Sequence, residues 1–293
     1  MNWIGCLGFL LAMCSAPAAT LTQDIERLAR SIGGRVGVSA VAIESGEHVA
    51  FQGGQPFFMA SVVKFPVALR VLELVDEGKL RLDQKVAVRN ADIAPGVKVL
   101  GGNFRPGMEF TIRDLLDYMI TASDNTACDV LMGLSGGPQA ATARLQALGI
   151  KGIRVDRTEK QVAADFARSH ARFLKDTRDT STPDAMAALL AKFQAGETLK
   201  PASTTLLREM LERSTTFPNR LKGLLPAGTV VAHKTGTWSD AAINDVGIIT
   251  LPGSTRHVAI AVFTNRSKRE MREVERAIAE IGRVVYDYWA TAK

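Results

Sequence analysis

The chain has 293 residues, 46% hydrophobic and 23% charged, with a formal net charge of +6. That is long enough for one large domain or two sharing a core, and it excludes a disordered, collagen-like or disulfide-scaffold chain. The densest basic stretch, Arg266 to Arg276, is interleaved with Glu270, Glu273 and Glu275, which reads as a solvated helix face rather than a nucleic-acid footprint.

Trp3 to Met13 is an apolar run without charge, followed by the small residues Ser15 to Ala19. The run is too short to span a bilayer, and Ala16-Pro17-Ala18 fits a cleavage site. Residues 1–19 therefore read as an export signal. Residues 20–293 read as the mature protein, periplasmic or secreted, with no membrane span. Cys6 and Cys14 fall in the signal, which leaves Cys128 alone as a small buried apolar residue without a disulfide.

Leu21, Ile25, Leu28 and Ile32 recur at helical spacing, and residues 35–44 and 47–52 alternate as two strands. Ser61 opens an apolar helix reaching about Leu74. Further helices are predicted over 111–119, 124–133, from Pro138 to Gly149, from Thr182-Pro183-Asp184 to near Gly196, and over 201–213. Residues 154–172 lack periodicity and are predicted to be a functional loop. Strand signals return at 229–237, 243–250 and 256–264. A final helix then carries Val274, Ile278, Ile281, Val285 and Tyr288 on one stripe. Strands at both ends and helices between them predict an α/β (α+β) fold. Its five-stranded antiparallel sheet is built from both termini (20–58 and 215–293) and flanked by the terminal helices, with an all-helical part (59–214) between. A site at the seam is expected.

Three motifs carry chemistry. In Ser61-Val62-Val63-Lys64, the spacing puts a hydroxyl and an amine on one helix face. A serine is a weak nucleophile until a neighbour takes its proton, and a desolvated lysine can do so. This spacing alone is weak, expected about once by chance in such a chain. Ser123-Asp124-Asn125 falls at a corner between helices, where Ser or Asp could also serve as a helix cap. Lys234-Thr235-Gly236 lies on a strand, with a glycine where something must approach the backbone closely. The ordered triple is a signature of penicillin-recognising serine enzymes.

With these motifs the chain resembles the class A serine β-lactamases, over about residues 20 to 290. Asp179 to Ala188, Leu225-Pro226-Ala227-Gly228 and Asn244-Asp245-Val246-Gly247-Ile248 extend the likeness. Arg157-Thr158-Glu159 matches the family's loop glutamate, and Arg157-Thr158-Glu159-x-Gln161 resembles an extended-spectrum subgroup. The resemblance implies hydrolysis of the β-lactam ring of penicillin- or cephalosporin-type antibiotics through a serine acyl-enzyme, conferring resistance. Ser61 is then the nucleophile, and Lys64, or Glu159 through a water, takes its proton. Ser123 relays a proton to the lactam nitrogen, and Glu159 drives deacylation. Ser61 and Thr237 N–H groups form an oxyanion hole, with Gly236 giving close approach. Asn125 binds the substrate amide, Lys234 keeps the Ser123 hydroxyl in place electrostatically, and Thr235, Thr237 and Arg220 bind the substrate carboxylate. Ala163 stands where many members have an Asn that holds the water, leaving Gln161 or a main-chain carbonyl as candidates. Val246 stands about where many have an Arg, and Arg220 is the replacement. No metal or cofactor is expected. The partner is a small β-lactam, with no nucleic acid, and a monomer is expected.

The alternatives are a penicillin-binding DD-peptidase, which shares the triple without the loop glutamate, and a covalent β-lactam sensor. A lysine-activated esterase would leave Ser123-Asp124-Asn125 and Lys234-Thr235-Gly236 unexplained.

Overall fold

A computed structural model describes residues 18–96, 99–102, 104–253 and 255–291. The expected export signal lies outside them, apart from its last two residues. In chain order, α1 (Ala18–Ile32), β1 (Arg35–Ala42) and β2 (His48–Phe51) come first. The middle holds β3 (Phe57–Phe58), α2 (Lys64–Asp76), β4 (Lys85–Ala87), β5 (Glu109–Thr111), α3 (Ile112–Thr121), α4 (Asn125–Leu134) and α5 (Pro138–Ala147). It continues with α6 (Glu159–Arg168), α7 (His170–Phe173), β6 (Thr180–Ser181), α8 (Pro183–Gln194) and α9 (Pro201–Glu212). The chain then forms β7 (Val231–Trp238), β8 (Ala242–Thr250), β9 (His257–Asn265) and α10 (Met271–Thr291).

The main sheet has the order β2-β1-β9-β8-β7, antiparallel at every pairing. Alternation along its strands loads both faces. Val38, Ala40, Ile260 and Val262 pack with Ile25 of α1 and Ile278 and Ile281 of α10 on one side. Val246, Ile248, Ala259 and Phe263 face the helical half on the other, where Phe65, Leu69 and Leu72 of α2 are fully buried. Burying such side chains contributes roughly 1.5–3 kcal/mol each, which makes the seam between sheet and helices a rigid place for a site.

Two local expectations differ. The helix expected from Ser61 begins as a 3-10 turn, Ala60–Val63, and becomes α-helical only at Lys64. Residues 154–172 contain α6. Its start is a capping box, in which Thr158 accepts from Gln161 N and Gln161 accepts from Thr158 N. Only Glu159 and Val162 of α6 are buried, so it shows little apolar period. The two-residue ribbon β3–β6 and the short ribbon β4–β5 carry too few residues to signal themselves.

Candidate active site

Ser61 lies in the 3-10 turn, with Lys64 Nζ donating to Ser61 Oγ at 2.8 Å. The preceding Ala60 has φ 47°, a left-handed conformation costing a non-glycine residue about 1–3 kcal/mol. The surroundings over-determine it. Asn244 Nδ2 on β8 donates to the Phe58 and Met59 carbonyls at 3.0 Å each, and Met59 N donates to Asp179 O at 3.0 Å. Strand β7 also passes so close that a Cβ on Gly236 would sit 2.5 Å from Met59 O. That is the approach the glycine of the third motif permits.

Lys64 is completely buried, and a buried ammonium needs partners. Besides Ser61 it has Asn125 Oδ1 at 2.7 Å and Glu159 Oε1 at 2.7 Å. Asn125 is anchored in turn by its Nδ2, which donates to Pro95 O at 2.8 Å. The corner before α4 divides its labour. Asp124 is the helix cap, accepting from Ala127 N at 2.9 Å and from Leu100 N. Ser123, at φ 61°, is left to accept from Lys234 Nζ at 2.9 Å. Burial, and next the charge on Lys64, push the Lys234 ammonium well below the ordinary lysine range, against the pull of Glu159 and Asp245. His233 points to the opposite face, its Nδ1 2.9 Å from Asp245 Oδ1.

Glu159 opens α6, and Asp129 holds it there: Asp129 Oδ1 accepts from Glu159 N at 2.6 Å and Oδ2 from Lys160 N at 3.1 Å. Asp129 went unnoticed in the sequence, although it lies four residues after Asn125 on the same helix face. Burial, reinforced by the Glu159 charge, raises its carboxyl to about 6 despite these hydrogen bonds. Gln161 is not in the site. It is exposed and committed to the Thr158 cap, and Ala163 carries no polar group.

A second missed group closes the segment that carries Glu159. The buried Arg157 Nε donates to Asp179 Oδ2 at 2.6 Å, and its Nη1 meets Asp165 at 3.0 Å and Asp176 at 3.1 Å. Asp179 Oδ1 accepts the N–H groups of Asp156 and Arg157 at 2.7 and 3.0 Å. A wall of rings stands beyond Thr237: Trp238 meets Phe166 at 5.9 Å, Phe173 at 6.0 Å and Phe58 at 6.3 Å. His170 Nε2 lies 3.0 Å from Asp240 Oδ1 across the same gap.

Arg220 is fully buried behind β7. Its Nη2 donates to Thr237 Oγ1 at 2.8 Å, its Nη1 to the Gly236 and Asn244 carbonyls at 3.2 and 2.9 Å, and its Nε to Glu275 at 3.2 Å. It therefore reaches the site through Thr237. Thr235 Oγ1 lies 2.6 Å from Thr216 Oγ1. Val246 pairs with Lys234 inside the core, and the β8 residue opposite Thr237 is Ile243, which offers no charge.

Comparisons with known proteins converge on one family. The model of the β-lactamase enzyme family matches residues 20–289. The extended-spectrum β-lactamase PER-1 of Pseudomonas aeruginosa is 37% identical over 286 residues, covering 94% of this chain and 89% of that protein. β-Lactamase VEB-1 of Pseudomonas aeruginosa is 32% identical over 291 residues, covering 97% and 95%. The crystal structure of the TLA-3 extended-spectrum β-lactamase superposes with a TM-score of 0.87 at 32% identity, covering 94% of this chain and 100% of that one. A β-lactamase from Chitinophaga pinensis gives 0.84 at 34% identity, covering 92% and 98%. The chain belongs to the class A serine β-lactamases.

Proposed function

We propose that the protein hydrolyses the β-lactam ring of penicillin- and cephalosporin-type antibiotics through an ester on Ser61, and so confers resistance to them. The observation that carries the residue roles is the buried chain of contacts Ser61–Lys64–Glu159, at 2.8 and 2.7 Å. An ammonium has no lone pair, so Lys64 can accept the Ser61 proton only while passing one to Glu159, which makes Glu159 the net acceptor. Ser61 Oγ then bonds to the lactam carbonyl carbon. The oxyanion is received by the N–H groups of Ser61 and Thr237, the latter on the edge strand β7. One such donor is worth about 10²–10³ in rate. As the C–N bond breaks, the Ser123 hydroxyl, held in place by Lys234, gives its proton to the departing nitrogen; the proton taken up by Glu159 is returned through the two lysines to Ser123, which leaves Glu159 a carboxylate again.

Deacylation repeats the logic with water. Glu159 takes a proton from a water as it attacks the ester carbonyl, and Ser61 leaves with a proton returned through Lys64. Asn125 orients the substrate amide. Thr235 and Thr237 bind its carboxylate, and Arg220 acts as a positioning residue that holds the Thr237 hydroxyl and lends its charge. The catalytic unit spans residues 20–293, with the site between the parts 20–58 with 215–293 and 59–214. The protein works as a monomer in the periplasm or outside the cell after cleavage of residues 1–19. Among the described residues no helix is long and apolar enough to cross a membrane.

Steady-state hydrolysis of nitrocefin and benzylpenicillin by the protein and by Ser61→Ala tests the reading. Turnover that disappears in the variant, together with its labelling by penicillin, is expected. Turnover that persists in the variant contradicts it.

A further inference from the structure

Behind the aromatic wall, away from Ser61, lies a cavity of about 180 Å³. Phe58, Phe173 and Ala241 form its apolar floor; Phe173 and Ala241 are buried and Phe58 partly so. Arg35, Lys175 and Arg266 line it nearer the solvent. Its walls come from two parts of the chain: the stretch after α7, which belongs to the Glu159 segment, and the ends of β1 and β9 in the sheet.

The charges here are uncompensated. The side chains of Lys175 and Arg266 make no ion pair or hydrogen bond to another described residue. Arg35 gives one hydrogen bond to Pro56 O at 3.0 Å and lies over the Phe57 ring at 4.9 Å, leaving most of its donors open. Burial, and then the Arg266 charge, lower the Arg35 guanidinium from its ordinary value, so the two cations repel. The one acid lining the cavity, Asp176, is already committed to Arg157 at 3.1 Å and Arg178 at 2.5 Å. Two forked guanidinium groups with spare donors above a ring-lined floor match a planar anion with an apolar body. The volume suits a single ring and falls below the roughly 300–1,000 Å³ of drug-sized ligand sites.

We propose that this cavity is a second binding site, for a small aromatic carboxylate whose anion bridges Arg35 and Arg266 and whose ring rests on Phe58 and Phe173. A ligand there ties the stretch after α7 to the sheet. It also touches the same rings, Phe173 and Phe58, that meet Trp238 on the side of the active site. It therefore braces the segment that carries Glu159 without entering the catalytic centre.

Benzoate is the probe, titrated into the full protein at constant ionic strength by calorimetry and thermal melting, with sulfate as the comparison anion. Saturable binding and a raised Tm are expected, with sulfate at least tenfold weaker and the KM for nitrocefin unchanged. Arg266→Gln is expected to weaken benzoate at least tenfold while nitrocefin turnover stays within twofold. Lys175→Gln, at an exposed position, is expected to weaken benzoate a few-fold and remains informative if the first variant does not fold. The proposal is overturned by an absence of saturable binding, by undiminished affinity in the variants, by sulfate binding as tightly, or by benzoate raising the KM. Binding is read independently of turnover, so the result stands apart from the assignment of the active site.

Discussion

At Asp129 two backbone N–H groups favour the ion, while burial and the neighbouring Glu159 charge oppose it, and the opposition prevails at about pH 6. An ordinary aspartate loses its proton near 3.9. Between about pH 4 and about pH 6 the folded protein keeps a proton here that the unfolded chain has released, so this group's contribution to stability falls as pH rises through that window. Asp129→Asn removes the titration. Calorimetric Tm values for the variant relative to wild type should be more favourable at pH 7 than at pH 4, and a pH-independent difference would contradict the account. Asp176 behaves in the opposite sense: hydrogen bonds from Arg178, aided by the Arg157 charge, hold it down at about 2, so its contribution is present above about pH 4 and is lost below. Gly236 is limited by space rather than charge. In Gly236→Ala the new Cβ must displace Met59 O in the turn before Ser61. A misplacement of that order is expected to lower kcat/KM by about 10²-fold, and activity near wild type would show that the turn yields freely.

The segment from Arg154 to Asp179 shows what a sequence discloses about an element and what it hides. Its helix α6 lies almost free of the core, so the apolar period that exposes helices such as α10 is missing. What fixes it is polar: the Thr158 cap, Asp129 from α4, and Arg157 gripping Asp165, Asp176 and Asp179. Those partners lie up to 31 residues away, and local pattern carries no trace of such pairings. The three motifs were legible because each needs only its own element: a helix start, a corner, a strand. Arg220 was named, but its burial and its route through Thr237 depend on how β7, β8 and α10 converge. Arg157→Ala leaves the buried Asp179 carboxylate without its cation, while Asp165 and Asp176 keep Arg178, and should cost about 3–5 kcal/mol in urea unfolding. Its deacylation rate, followed by stopped flow with nitrocefin, should fall more than its acylation rate. Equal losses would mean that the grip does not serve Glu159.

Over the whole molecule, a sheet assembled from both chain ends clamps a helical middle, so the parts of the site arrive from distant stretches. Ser61 comes from the 3-10 turn before α2, Lys64 from the first position of α2, Ser123 and Asn125 from the α3–α4 corner, Glu159 from α6, and Lys234 to Thr237 from β7. Strand alternation and helix stripes announced the sheet and its flanking helices, whereas the small ribbons β3–β6 and β4–β5 are too short to show a period. The central claim is that the ester on Ser61 is short-lived because Glu159 drives water into it. Intact-protein mass spectrometry of wild type and Glu159→Gln, quenched at intervals after mixing with benzylpenicillin, tests this most directly. The account predicts a covalent adduct that persists in the variant and vanishes in wild type as the antibiotic is consumed; a variant that clears its adduct as fast as wild type, or a wild type that keeps it, would contradict it.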